Sequence, residues 1–234
     1  MRGACARTDL TTIHLKSNIH RKEIKKAGFN IKKFHQGAKD TLNYLTKNNN
    51  YIVHSRFAKI LSSSLQINVM MTYSDSLYYF GKWFLQLWAE SSGKNGLGIT
   101  PIHSIGTTDQ HSQLQLFLDG PKDKFFTFIA TNHKKKGLKI NKQIMIQNNS
   151  SFLGGKKMGD LMDAEQKATI STFIKKGIPI RKIYLQEINE YSIGQLMSLT
   201  MFETITTCNL LNVDPFNQPA VEQGKILTKK YLNQ

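Results

Sequence analysis

Glu90 stands near the end of an apolar stretch that contains Leu77, Tyr78, Tyr79, Phe80, Trp83, Phe84, Leu85, Leu87 and Trp88. At helical spacing Tyr79, Trp83, Gln86 and Glu90 form one stripe. A helix this apolar is expected to be buried nearly all round. A carboxylate in apolar surroundings holds its proton to higher pH, which suits proton transfer near neutrality. The alternative is a last-turn Glu that reaches solvent beside Lys94. Spacing leaves both readings open.

Two further segments carry chemical groups. Gly106-Thr107-Thr108-Asp109-Gln110-His111-Ser112-Gln113 follows an apolar run and opens a helix. A helix N-terminus favours anions and lowers the pKa of a nearby imidazole, so His111 is a candidate acid or base. A structural His is the plainer reading. In Pro215-Phe216-Asn217-Gln218-Pro219-Ala220-Val221-Glu222-Gln223-Gly224-Lys225, a Lys follows an Asn-Gln-Pro turn. It would meet an anionic or hydroxyl-rich ligand, or lie solvated on the surface; the residues alone favour the surface.

These groups need elements to position them. Ile31, Phe34, Ala38, Leu42 and Leu45 predict one helical face over 31–46, and 51–64 is again helical in pattern. Ile67 to Tyr73 reads as a buried strand, with Ser74 or Asp75 capping a helix to Ser92. Gly93 to Gly98 breaks that helix. A strand follows over 99–105, where Pro101 is a poor fit away from a sheet edge. A helix over 107–118, a strand over 125–131 and a polar connection over 132–156 come next. A helix over 158–176, with Leu161, Ala164, Ala168, Ile170 and Ile174 apolar, precedes a strand over 179–185 and a helix over 191–211. Asp214-Pro215 begins a last turn and helix to Leu232. Strands alternating with helices predict a doubly wound parallel α/β sheet. In such a sheet ligands bind at the C-terminal strand ends, which places Ser74 nearby, although capping accounts for it.

The chain has 234 residues, a net charge of +16, 40% hydrophobic and 10% aromatic residues. That composition excludes disorder as the dominant state. No apolar run approaches the roughly 18 residues of a membrane span, and the start lacks the apolar core of a secretory signal. Cys5 and Cys208 make neither a disulfide framework nor a metal site, and His14 and His20 have no ligand partners. A cytoplasmic protein is expected. The excess base sits in residues 1–59 and 122–182, each at net +10. Lys supplies 27 of the 32 basic residues, whereas bidentate reading of phosphates and bases prefers Arg. The charge therefore argues for a basic surface and against a nucleic-acid reader.

The three chemical segments together resemble one family. Gln86-Leu87-Trp88-Ala89-Glu90-Ser91-Ser92-Gly93-Lys94 is similar to the Q-L-W-A-E-S-x-G-K signature of bacterial glucose-6-phosphate isomerases. Gly106 to Gln115 resembles that family's His segment, and Phe216 to Lys225 its F-[DN]-Q-x-G-V-E-x-x-K signature. Gly159 to Gln166 adds a bacterial-type match. The order is conserved with the family's, and the likeness runs from about Phe29 to the C-terminus.

The resemblance implies a sugar isomerase-type (SIS) domain over 28–234 with a C-terminal helical extension, behind an unmatched basic leader at 1–27. It implies interconversion of glucose 6-phosphate and fructose 6-phosphate, a step of glycolysis and gluconeogenesis, without metal or organic cofactor. Glu90 would carry the proton between C2 and C1 through a cis-enediol. His111, reaching the neighbouring subunit's site in a homodimer, would assist ring opening. Lys225 would sit by the ring oxygen and phosphate, Gln86 would contact substrate, and Gln218 is a further contact candidate.

The chain also departs from the family pattern. Ala220 stands where the signature has Gly, which would strain the turn if the position needs positive φ. The family's Gly-Gly-Arg segment has no match before Gly28. Its N-terminal phosphate-binding domain is not matched either, so an impaired lone chain, restored by a companion chain, is expected. A hexose-phosphate-binding module without turnover is the alternative. Glu90 would be buried in both.

Overall fold

The computed structural model describes residues 26–47, 51–61 and 65–234. Cys5, His14, His20 and all but the last two residues of the expected leader lie outside them. The chain divides into two compact units: Ser64–Leu85 with Thr100–Asn189, and Met1–Ser63 with Gln86–Ile99 and Glu190–Gln234.

The first unit is a four-stranded parallel sheet in the order β2-β1-β3-β4, built from β1 (Ile67–Thr72), β2 (Thr100–Ile105), β3 (Lys124–Thr131) and β4 (Ile180–Leu185). Every residue of β3 is buried, as expected of an inner parallel strand covered on both faces. Pro101 is tolerated because β2 is an edge strand and needs fewer ladder donors. On one face, Val69 and Met71 from β1 and Phe126, Phe128 and Ala130 from β3 pack against α4 (Thr108–Asp119) and α6 (Met158–Lys175). The Phe173 ring meets Phe126 and Phe128 edge-on at centroid distances of 4.7 and 5.1 Å. On the other face lies the first half of α3 (Tyr78–Ser92). Gly81 admits the His103 ring there, since a Cβ at Gly81 would lie 2.2 Å from it. His103 Nε2 is 3.0 Å from Thr72 Oγ1, and burial lowers its pKa, with Lys82 adding to the effect. Helices on both faces of a parallel sheet make the doubly wound architecture.

The second unit is helical. It holds α1 (Ile31–Thr46), α2 (Tyr51–Leu61), the end of α3, α7 (Glu190–Leu210) and α8 (Glu222–Leu232). Asn30 caps α1 by accepting from the Lys33 N–H at 3.1 Å. Helices α1 and α7 meet through two glycines: a Cβ at Gly37 would lie 2.0 Å from the Tyr191 carbonyl oxygen, and one at Gly194 2.1 Å from that of Phe34. Tyr191 donates to Asp40 at 2.9 Å across the same pairing.

Several local expectations are corrected. The buried face of α1 is Phe34, Gly37, Thr41 and Leu45, and Leu42 is exposed, because the glycine contact turns the helix. In α6 the inward face is Asp163, Gln166, Thr169, Ile170 and Phe173, while Ala164, Ala168 and Ile174 face out. Helix α3 is not buried all round: Tyr79 is 82% exposed, opposite buried Phe84 and Trp88. Ser74 precedes a 3-10 turn over Asp75–Leu77 but gives no side-chain cap. The connection 132–156 contains a short helix, α5 (Lys142–Gln147), whose Asn141 cap accepts from Gln143 at 2.9 Å. No helix among the described residues is long and apolar enough to cross a membrane.

Candidate active site

The end of α3 is fixed by its buried side. Trp88 is 1% exposed, and its indole N–H donates to the Ile99 carbonyl at 3.1 Å. Ser92 donates to the Trp88 carbonyl at 2.8 Å. Lys94 folds back onto the helix end, its ammonium donating to the carbonyls of Glu90 at 2.7 Å and Ser91 at 2.5 Å. These are carbonyls that a helix end leaves without amide partners. Burial lowers the Lys94 pKa, opposed by Cys208, Asp214 and Glu90. The chain then reverses in a tight hairpin, with Lys94 bridged to Leu97 and positive φ at Asn95 (55°) and Gly96 (72°). Two such residues are the signature of a type I′ turn.

On the opposite side of α3, Glu90 is half-buried and held at both oxygens. Gln86, four residues earlier, donates from Nε2 to Oε1 at 3.0 Å. Gln218 donates from Nε2 to Oε2, also at 3.0 Å. Gln218 is itself positioned by a turn in which Asp214 accepts from the Phe216 N–H at 2.9 Å and from the Asn217 amide at 2.8 Å. A 3-10 turn over Pro219–Val221 follows. Together with the Lys94–Leu97 hairpin, these residues line a pocket of about 860 Å³ with Glu90 and Gln218 at its wall. Of the two settings that spacing left open, the structure shows one in between: Glu90 is half-buried, with both oxygens held by glutamine amides. An ionised carboxylate has about four acceptor positions, so two amide donors fix its direction and leave capacity for a ligand.

The structure thus brings together Gln86, Glu90 and Gln218. Lys225 lies elsewhere on exposed α8, where its ammonium pairs with Glu222 at 2.7 Å, both side chains 61% exposed. His111 is exposed in the first turn of α4, in the sheet unit. That turn is anchored by Asp109, which accepts from the Ile105 N–H at 2.6 Å, and by a hydrogen bond from the Tyr73 hydroxyl to Gln110. Gly106 has the Tyr73 ring where a Cβ would be, 2.4 Å away. Ala220 is in the 3-10 turn and outside the left-handed region, so Ala in place of Gly adds no strain there. Lys94 is a site residue that spacing did not single out; its place two residues past a helix end was the available signal. No cluster of three or more metal-ligating side chains occurs among the described residues.

The fold and the site define a doubly wound α/β protein that presents a glutamine-braced carboxylate at a helix end. The phosphoglucose isomerase family model matches residues 30–234. The chain belongs to the phosphoglucose isomerase family. It is 39% identical over 166 residues to a probable glucose-6-phosphate isomerase of Methanococcus maripaludis, covering 71% of this chain and 37% of that protein. It is 37% identical over 185 residues to the glucose-6-phosphate isomerase of Methanocaldococcus jannaschii, covering 79% and 44%. A crystal structure of a hypothetical protein from Thermus thermophilus superposes with a TM-score of 0.81 at 31% identity, covering 89% of this chain and 52% of that one. The chain spans about half the length, or less, of the relatives it matches.

Proposed function

We propose that this chain carries proton-transfer machinery of an aldose–ketose isomerase acting on hexose 6-phosphates. One observation carries the reading: Glu90 is held by Gln86 and Gln218 at the wall of a pocket large enough for a sugar phosphate. Glu90 removes the C2 proton of the open-chain aldose. The C1–C2 bond becomes the double bond of a cis-enediol, and the same proton returns to C1 as O2 becomes the ketose carbonyl. The hydroxyl proton passes from O2 to O1, so no net acid or base is consumed. A base within hydrogen-bond reach contributes about 10²–10⁴-fold to such a step. The scheme uses no metal or organic cofactor.

In this reading His111 assists ring opening from a neighbouring copy in a homodimer, and Lys225 lies toward the ring oxygen and phosphate. Taken by itself, the 234-residue chain turns over more slowly than about 10 per second, an ordinary enzyme rate. A second reading, a hexose-phosphate-binding module without turnover, draws on Lys225, which is exposed and engaged with Glu222 outside the pocket lining. Conversion of fructose 6-phosphate by wild type and Glu90→Gln separates the two. Isomerisation that the substitution removes supports the enzyme. Binding without conversion in both chains supports the module.

A further inference from the structure

A second cavity, of about 470 Å³, lies in the sheet unit and shares no residue with the Glu90 pocket. It is lined from α6, from β4, from the end of β3 and from the segment that follows it. Its origin is topological. Strand β4 is the last of the sheet, and after it the chain passes to α7, which belongs to the other unit. Lys182 and Tyr184 pair in register with Phe128 and Ala130, so they share the sheet face that α6 covers. Tyr184 is nevertheless 55% exposed and Ile174 on α6 61% exposed.

The groove is chemically two-sided. Ala130, Ile170 and Ile174 give it an apolar floor. Lys134, Lys167 and Lys182 line it with three ammonium groups, and Asp163 is the one acid among its lining residues. Asp163 is already bound to Lys167 at 2.8 Å. The three like charges share this groove with one carboxylate, and an added anion would lower their mutual repulsion. With Asp163 counted, the lining carries an excess of two positive charges, which matches a dianion. Arg181, the strand's guanidinium, is not part of this wall; it donates to Thr127 at 3.0 Å on the opposite face.

We propose that this groove is a binding site for a small phosphate monoester, its dianion held by Lys134, Lys167 and Lys182 and its body laid against Ile170, Ile174 and Tyr184. Lysines act here as point charges around a tetrahedral group, a role that needs no bidentate geometry. The proposal does not depend on the isomerase reading, because none of its residues lines the Glu90 pocket.

Calorimetric titration of the purified chain with phenyl phosphate and with inorganic phosphate tests it. Phenyl phosphate is expected to bind about tenfold more tightly than inorganic phosphate, since its ring covers the apolar floor. Lys134→Ala/Lys182→Ala is expected to weaken phenyl phosphate binding about tenfold or more, whereas Lys182→Arg retains it. Both lysines are exposed, and circular dichroism checks that the variants fold. Glu90→Gln and Gln218→Ala should leave this binding unchanged. Equal affinity in the double lysine variant, no preference for the phenyl ester, or loss in the Glu90 and Gln218 variants instead would each overturn the assignment.

Discussion

Gln218 donates a hydrogen bond to Glu90 at 3.0 Å across 128 positions of sequence, and so joins the last turn of α3 to the C-terminal segment. The carboxylate is thereby held from two directions, by its own helix through Gln86 and by a distant loop through Gln218. Removing one brace should widen its motion without unfolding the chain. Gln218→Ala is expected to lower turnover in the isomerase assay about tenfold, in keeping with the loss of a hydrogen bond to a charged group worth about 1.5–3 kcal/mol. Melting temperature should fall by no more than several degrees, at about 2–4 °C per kcal/mol for a chain of this size. An unaltered rate would show that the brace does not orient the base.

The glycine contact between α1 and α7 predicts a steric result. Gly37→Ala and Gly194→Ala each place a methyl group about 2 Å from a carbonyl oxygen of the facing helix. Such overpacking costs about 1–3 kcal/mol. Gly224→Ala in the first turn of α8 is the control: a Cβ there meets nothing within 4 Å, and the change gains up to about 1 kcal/mol, the value for a helix interior. Urea denaturation should move the midpoint down for the first two and up for the third.

The end of α3 gives a third. Lys94→Met removes both ammonium bonds to the carbonyls of Glu90 and Ser91. The expected loss is about 1–3 kcal/mol of stability, with faster amide exchange in the last turn of α3. Exchange rates there that match wild type would show that the hairpin alone holds the helix end.

Alkaline pH supplies a fourth. Burial pushes the Cys208 thiol up to about 11 and the Tyr73 phenol up to about 12. Both groups are neutral in the fold at pH values where the unfolded chain ionises them. Above about pH 9 the unfolded state therefore binds fewer protons than the native state, and stability falls as pH rises. The Cys208 contribution is complete below pH 9 and is lost by about pH 11; that of Tyr73 disappears between about pH 10 and 12. Urea titrations from pH 8 to 11 should show this decline, and Cys208→Ala should flatten its first part. A pH-independent stability over that range would contradict the burial of both groups.

These features differ in how far the sequence reveals them. The alternation of strands and helices is plain because strand and helix periods differ, and β3 reads as a mostly apolar run interrupted only by Thr127 between Phe125 and Ala130. The Gln86–Glu90 pairing follows from i,i+4 spacing alone. The Gln218 contact does not, because no local pattern encodes a bond across 128 residues; only the family signatures place both in one site. The rotation of α1 was hidden for another reason. Hydrophobicity marked Leu42 as inward, whereas the closest approach is made by Gly37, which has no side chain to register in a hydrophobic pattern. Helix α5 is six residues long, too short for a period to show. The setting of Glu90 stayed open because the composition of its own helix cannot report the glutamine that arrives from the C-terminal segment.

The most direct measurement is the conversion of fructose 6-phosphate to glucose 6-phosphate by the purified chain, beside Glu90→Gln, with hexose-phosphate binding measured on the same samples. Binding by both is expected, with slow conversion, below about 10 per second, that falls at least about a hundredfold in the variant. Conversion indifferent to the Glu90 substitution, or a folded chain that neither binds nor converts the sugar phosphate, would contradict this expectation.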